Sequence, residues 1–292
     1  MSIDRIDASP RALARLEGVV YLVIIILGVV VELVVRARIN VPGNAAATAA
    51  NLRSMESLWR FGIAAELVMV ICTIVSALIL YVLLRPVSKD LALLGTFFGL
   101  VGITIEAAHS LRLVEALFPL QSAGYLQAFS PGELQAMVSW SMKAHGQGYG
   151  LALLVFGPAF LLRGYLVYRS GYFPRALGVL YQIAGLAYLT NGFSLILAPQ
   201  LAGRIFMIVA GPAFVGEASF CIWLLAKGLN VDKLEPAARR GSVDLTEDEG
   251  RLVLTPTRFC GPMRGDADRH AVPERLPPAW NRGLGPTSVR VV

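Results

Sequence analysis

The sequence predicts an all-α integral membrane protein, a polytopic bundle of six transmembrane helices with the N- and C-termini in the cytoplasm. The chain of 292 residues is 55% hydrophobic and only 16% charged, whereas about a quarter of an ordinary soluble domain is charged. Six stretches reach the roughly 20 mostly apolar residues that cross a bilayer. The basic residues flank these stretches, which indicates membrane topology and argues against nucleic acid as a partner despite a net charge of +6.

The six predicted spans cover residues 16–37, 60–84, 91–118, 144–168, 176–197 and 204–226. The first span contains Glu32 and is followed by Arg36, and its apolar core is longer than that of a signal peptide, so we interpret it as retained. Twelve Lys and Arg residues flank the spans on the side of the membrane that holds the N-terminus, and seven flank them on the opposite side. This bias predicts cytoplasmic termini and a multi-pass location in the cytoplasmic (inner) membrane.

Two loops carry helix signals of their own. The first outer loop has a Pro-Gly turn, then an Ala-rich stretch with one apolar face, formed by Leu52, Met55, Leu58 and Trp59. This face predicts a short surface helix with Trp59 at the membrane interface. In the third loop, Ser130, Pro131 and Glu133 match a capping box, so the fourth helix is predicted to begin near residue 131, well before its apolar part.

The composition divides the chain into three parts. Residues 1–15 are a predicted cytoplasmic segment, residues 16–227 form the six-helix domain, and residues 228–292 hold 7 of the chain's 16 prolines. The last part is predicted to be a largely disordered cytoplasmic tail, with a small hairpin in "VDLTEDEGRLVLT" as the alternative. The three cysteines lie far apart and form neither a disulfide framework nor a CxxC metal site.

Four stretches resemble a known family in their order along the chain: "VELVVRARINVPGNAAATAANL", "ALILYVLLRPV", "GYLVYRSGYFPRALGVL" and "GEASFCIWLLAKG". The family is a bacterial six-span membrane family known as domain of unknown function 4386, and the resemblance covers roughly residues 11–228. It implies an integral-membrane helical bundle. It implies no activity, no cofactor and no catalytic residues.

The spans contain polar residues that share one depth. When the direction of each helix is considered, nearly all of them fall in the outer half of the bilayer, and the inner halves carry almost no charge. An ionisable group at the bilayer centre costs about 2.5–3.5 kcal/mol on insertion scales, so such groups face the bundle interior or a wet cavity. We therefore predict a polar chamber in the outer half, lined by Glu32, Glu66, Glu106, His109, Arg112, His145, Asn191 and Glu217. Glu115 is predicted to lie outside it, because steps of three residues drift around a helix.

The chamber allows several functions, which the sequence leaves open. Its acids outnumber its bases, which favours a small or cationic ligand or a proton relay. The same residues could instead form a structural network, with Glu66, Glu106 and Arg112 as ion pairs and His109 hydrogen-bonded inside it. The ligand, any cofactor and the oligomeric state cannot be predicted from the sequence.

Two further classes of function are weaker alternatives. A metal- or haem-binding membrane enzyme is suggested by Glu106-x-x-His109, which matches one element of di-iron bundles, with His145 and Glu217 as completing ligands. His109 and His145 could also ligate a haem. A membrane scaffold is the other alternative, with residues 228–292 as its recognition segment. The sequence contains no GxSxG, HExxH, P-loop or Rossmann glycine pattern.

Overall fold

The structure is a computed structural model that describes residues 9–234, and the regular structure in that range is entirely helical. Six of its helices are long and apolar enough to cross a membrane, which confirms the predicted fold class. The helices are α1 (Pro10–Ile39), α2 (Ala45–Ser54), α3 (Glu56–Leu84), α4 (Lys89–Glu115), α5 (Pro131–Ser170), α6 (Arg175–Leu197) and α7 (Ala202–Ala226). The predicted hairpin and most of the predicted tail lie outside the described residues.

Side-chain caps fix where two of the long helices begin. The Ser9 hydroxyl accepts a hydrogen bond from the Ala12 amide at 3.2 Å, so α1 begins inside the segment that was predicted to precede the first span. At α5, the Glu133 carboxylate accepts from the Ser130 amide at 2.7 Å, and the Ser130 hydroxyl accepts from the Glu133 amide at 3.4 Å. This reciprocal pair confirms the predicted capping box and the start of α5 at Pro131.

The bundle has two distinct ends. The start of α1, the α3–α4 and α5–α6 turns and residues 227–234 meet at the end that we call proximal. There the Tyr172 hydroxyl donates to the Leu83 carbonyl at 2.6 Å, and the Asn230 amide donates to the Tyr172 carbonyl at 3.3 Å. Leu229 is buried, so the first residues of the predicted tail fold back onto the bundle. The opposite end, which we call distal, carries α2 and the segments between α4 and α5 and between α6 and α7.

Helices α5 and α6 approach each other through glycines spaced seven residues apart. The glycines are Gly150, Gly157 and Gly164 on α5 and Gly178, Gly185 and Gly192 on α6. A Cβ added at Gly178 would lie 2.6 Å from the Gly164 carbonyl oxygen, and one at Gly185 would lie 2.8 Å from that of Gly157. The two backbones are therefore in direct contact along this glycine seam, as in other membrane helix pairs with small residues at the interface.

An apolar core fills the proximal half of the bundle. Tyr181 and Phe220 are fully buried there, and Phe160 stacks on Tyr181 with 4.5 Å between the ring centroids. Leu84 and Leu224 close the same core near the turns. Toward the distal end, two cavities have polar side chains in their lining.

The predicted short helix of the first outer loop forms as α2, but the prediction that Trp59 lies at the membrane interface is wrong. The short helix α2 ends at Ser54, and Trp59 belongs to the long helix α3, where only 3% of the residue is exposed. Its indole N–H donates to the Leu113 carbonyl at 2.9 Å. The apolar face suggested a helix at the membrane interface, but the same residues belong to or pack against a buried cluster that includes Leu113 of α4.

We expect Trp59→Phe to lower the free energy of unfolding by about 1–3 kcal/mol, because it leaves the buried Leu113 carbonyl without its donor. Unfolding of the purified protein in mixed detergent micelles measures this effect. Trp140→Phe is the matched control, since Trp140 is 62% exposed and its loss should change stability by no more than about 0.5 kcal/mol. Equal losses for the two variants would contradict the assignment of the Trp59 hydrogen bond.

Candidate functional site

The candidate site begins with an irregular turn near the distal end of α1. Residues Val31–Arg36 form a π-helical segment, in which the Ala37 amide donates to the Glu32 carbonyl five residues earlier. Single π-helical turns inside α-helices occur frequently at functional sites. Within this turn, the Arg36 guanidinium donates to the Glu32 carboxylate at 2.9 Å.

Arg36 is the centre of a hydrogen-bonded network that joins α1, α3, α4 and α5. Its Nη2 donates to Glu66 Oε1 and, at 2.8 Å, to the Nε2 atom of His145. Arginine can only donate, so His145 Nε2 accepts, and its Nδ1–H donates to the His109 carbonyl at 3.1 Å. The second oxygen of Glu66 accepts from the Ser110 hydroxyl at 3.3 Å. Arg36 was counted among the seven basic residues on the outer side and was not predicted to join the chamber.

Three cavities adjoin one another along the bundle. We call them the distal cavity of about 350 Å³, the middle cavity of about 270 Å³ and the proximal cavity of about 90 Å³. Glu32 and Arg36 line both the distal and the middle cavity, and Glu106 and Glu217 line both the middle and the proximal cavity. Tyr149 lines all three. A vestibule of about 650 Å³ between the 40–45 segment and α5 adjoins the distal cavity.

The structure brings six of the eight predicted chamber residues into the lining of these cavities. They are Glu32, Glu66, Glu106, His145, Asn191 and Glu217. They come from all six long helices, which run in alternating directions, so their grouping depends on tertiary packing. Asn191 is buried and lines the distal cavity.

His109 and Arg112 are not in this lining. The His109 ring lies against α5 where Gly148 leaves room for it, since a Cβ at Gly148 would overlap the ring. Arg112 donates to Glu115 at 2.7 Å and lies over the Trp140 ring at 5.9 Å. Each step of three residues turns by about 60° around the helix, so both side chains rotate away from the face that carries Glu106.

The residues of the metal or haem alternative do not converge. Within residues 9–234, no group of three or more His, Cys, Asp or Glu is placed to hold a metal ion. Both ring nitrogens of His145 are hydrogen-bonded, and the His109 ring packs against Gly148. The donor set Glu106, His109, His145 and Glu217 therefore does not fit a metal ion or a haem iron. Of the two glutamates that the sequence paired with Arg112, Glu66 pairs with Arg36 instead, and Glu106 forms no ion pair with a described residue.

Two carboxylates in the cavities have no basic partner. Glu106 is 8% exposed, and among the described residues no side chain forms an ion pair or hydrogen bond with its carboxylate. Glu217 lies beside Tyr21 in the proximal cavity, and its Oε1 atom is buried without a hydrogen-bond partner. A buried charge without a partner is unfavourable, so these two groups are poised to accept a donor from a ligand or water.

The expectation that the inner halves of the spans carry almost no charge is wrong. Glu17 of α1 is fully buried in the proximal half and accepts from the Ser76 hydroxyl at 2.6 Å. Arg163 of α5, which was counted among the twelve flanking basic residues, is buried and lines the proximal cavity. The signal for Arg163 was its position inside the apolar run "LALLVFGPAFLLRGYLVY". Arg163 was counted on the N-terminal side of the membrane and Arg36 on the opposite side. Removing both from the counts of flanking basic residues leaves the difference between the two sides unchanged.

Comparisons with known proteins agree with this architecture. Residues 16–228 match the sequence profile of the family described as "Domain of unknown function (DUF4386)". An uncharacterized protein from Archaeoglobus fulgidus is 28% identical over 177 residues, which are 60% of this chain and 88% of the relative. No solved structure matches the chain. Because the profile match covers well over half of the chain and all six spans, the chain belongs to the DUF4386 family and is a multi-pass membrane protein.

Proposed function

We propose that the protein binds a small organic cation in the middle cavity. The observation that carries this proposal is the charge of the lining. Four glutamates (Glu32, Glu66, Glu106 and Glu217) face one arginine, Arg36. The guanidinium of Arg36 already donates to Glu32, Glu66 and His145. Glu106 and Glu217 are therefore left for a cation.

The aromatic residues of the middle cavity favour an organic cation over a hydrated metal ion. Its lining includes four aromatic rings, those of Tyr149, Tyr188, Phe206 and Phe214. Cations bind over the faces of such rings, and cages of aromatic rings are the common way in which proteins recognise quaternary ammonium groups. Together with the adjoining distal cavity, the space reaches the roughly 300–1,000 Å³ of typical small-molecule sites.

The proposal includes a direction of access. The vestibule and the distal cavity lead to the middle cavity from the distal end, whereas the apolar core closes the proximal end. More Lys and Arg flank the spans at the proximal end, and such residues are enriched on the cytoplasmic side. We place the protein in the cytoplasmic (inner) membrane with its proximal end inside, so the cation enters from the extracytoplasmic side.

Choline binding to the purified full-length protein in detergent tests this function. We expect millimolar choline to raise the unfolding midpoint, because a ligand that binds only the folded state stabilises it. Glu106→Gln should weaken choline binding by about tenfold or more, since a contact with a charged group contributes about 1.5–3 kcal/mol. Isothermal titration calorimetry provides the dissociation constants.

Glu115→Gln is the matched control for Glu106→Gln. Both residues lie on α4, but Glu115 pairs with Arg112 and does not line the cavities. Its substitution should leave choline binding unchanged. The absence of any choline effect on the wild-type protein, or equal weakening by the two substitutions, would refute the proposed function.

A further inference from the structure

We infer that the ligand is a zwitterion whose carboxylate binds Arg163 while its ammonium group binds between Glu106 and Glu217. This inference rests on the proposed function and names the chemical class of the cation. Its basis is the arginine at the far end of the cavities, which the proposed cation site does not use. An amino acid or a betaine has the required pair of charges.

Arg163 is a buried cation without a partner. Only 6% of the residue is exposed, its Nη2 atom is buried without a hydrogen-bond partner, and no described residue forms an ion pair with it. Helix α4 makes room for the guanidinium at Gly99, where an added Cβ would lie 2.7 Å from Nη2. A buried charge of this kind needs an anion or several hydrogen bonds to be tolerated.

The nearest acidic residue does not supply that anion. Glu17 influences Arg163 electrostatically, but it accepts its hydrogen bond from Ser76 and does not line the proximal cavity. Its Oε2 atom is itself buried without a partner, so the two groups do not satisfy each other. Of the two arginines that line the cavities, Arg36 donates to three partners, whereas the Nη2 atom of Arg163 has none.

The order of charges along the cavities matches a zwitterion. Glu106 and Glu217 line both the middle and the proximal cavity, whereas Arg163 lines only the proximal one. A ligand at the junction of the two cavities thus has carboxylates beside it and a guanidinium beyond them. The planar guanidinium presents paired N–H donors that suit a carboxylate.

Water is the other occupant that the proximal cavity could take. Its volume of about 90 Å³ is large enough to hold water. Waters would satisfy Arg163 without giving the site any preference for an anionic group. The two occupants therefore differ in one measurable property, which is the gain in affinity that a carboxylate on the ligand brings.

Glycine betaine and choline form the matched pair of probes. Both carry a trimethylammonium group, and they differ in having a carboxylate or a hydroxyl at the other end. We expect the full-length wild-type protein to bind betaine about tenfold or more tightly than choline, as measured by titration calorimetry, because the additional charge-assisted hydrogen bonds are strong. Arg163→Gln should abolish this preference, because it removes the partner of the carboxylate.

A second variant tests the same contact with the arginine retained. Gly99→Ala places a methyl group against Nη2 and displaces the guanidinium, so it should weaken betaine binding more than choline binding. Gly99→Ala, together with the comparison of betaine and choline binding by the wild type, tests the contact with Arg163 even when Arg163→Gln does not fold. Equal affinity for betaine and choline in the wild type would overturn the inference and assign Arg163 to water, with the proposed cation site intact. Binding of neither probe would overturn the proposed function itself.

Discussion

Arg36→Met is expected to lower the free energy of unfolding by about 3–5 kcal/mol, because it leaves a buried carboxylate without its counter-charge. Glu66 is 4% exposed and depends on Arg36 for its ion pair. The substitution also removes the donor to His145 Nε2 and the partner of Glu32. Methionine fills much of the volume of the arginine stem, so lost packing contributes little to the expected effect.

Equilibrium unfolding in mixed micelles measures this loss, with Arg60→Met as its control. Arg60 pairs with Glu56 at 2.8 Å and at the same helical spacing as Arg36 and Glu32, but both side chains are largely exposed. Exposed pairs contribute about 0–1 kcal/mol. Adding Glu66→Gln to Arg36→Met should recover part of the loss, because it removes the unpaired charge. A double variant less stable than Arg36→Met alone would show that Arg36 does not act through Glu66.

The features that the sequence predicted well are those set by local composition. The six spans follow from runs of apolar residues, and the start of α5 follows from Ser130 and Glu133, whose hydrogen bonds form within one turn. The level of a polar residue along the bundle depends only on its position along the helix and on the direction of that helix. Six of the eight predicted chamber residues accordingly reach the cavities.

The features that the sequence did not predict depend on rotation and on contacts between helices. The side chains of His109 and Arg112 point away from the cavities around the axis of α4, which no hydropathy pattern reports. The π-helical turn rotates the residues that follow it around the helix axis. Arg36 looked like a flanking residue because it follows the apolar run. Arg163 was counted as a flanking residue because a positive charge near a helix end usually marks the membrane boundary. Its burial depends on the space at Gly99 on another helix.

The seven-residue spacing of the glycines was visible in the sequence, and its meaning required the antiparallel pairing of α5 with α6. Gly171 ends α5 with φ of 73°, a conformation that glycine adopts readily, and the turn there places Gly164 opposite Gly178. The seam therefore sets the position of α5 relative to α6. These two helices carry His145 and Tyr149 on one side and Tyr188 and Asn191 on the other, so the seam also determines the width of the cavities.

Gly178→Ala is expected to destabilise the protein by about 3 kcal/mol, because overpacking here acts against backbone rather than against a flexible side chain. The added Cβ would lie 2.6 Å from both the Gly164 carbonyl oxygen and the Tyr168 amide nitrogen. Gly146→Ala is the control, since nothing lies within 4 Å of a Cβ at that helical position. It should leave stability unchanged or raise it by up to about 1 kcal/mol, as alanine is the better helix former.

Unfolding in mixed micelles distinguishes the two glycine variants, because Gly178→Ala should lower the free energy of unfolding and Gly146→Ala should not. If the seam sets the cavity width, folded Gly178→Ala protein should also bind choline more weakly, because separating α5 from α6 moves Tyr149 away from Tyr188. These two rings line the middle and proximal cavities from opposite helices. A Gly178→Ala protein as stable as Gly146→Ala would show that the backbones of α5 and α6 do not touch. Unchanged choline binding by a destabilised Gly178→Ala protein would show that the seam supports the fold without shaping the site.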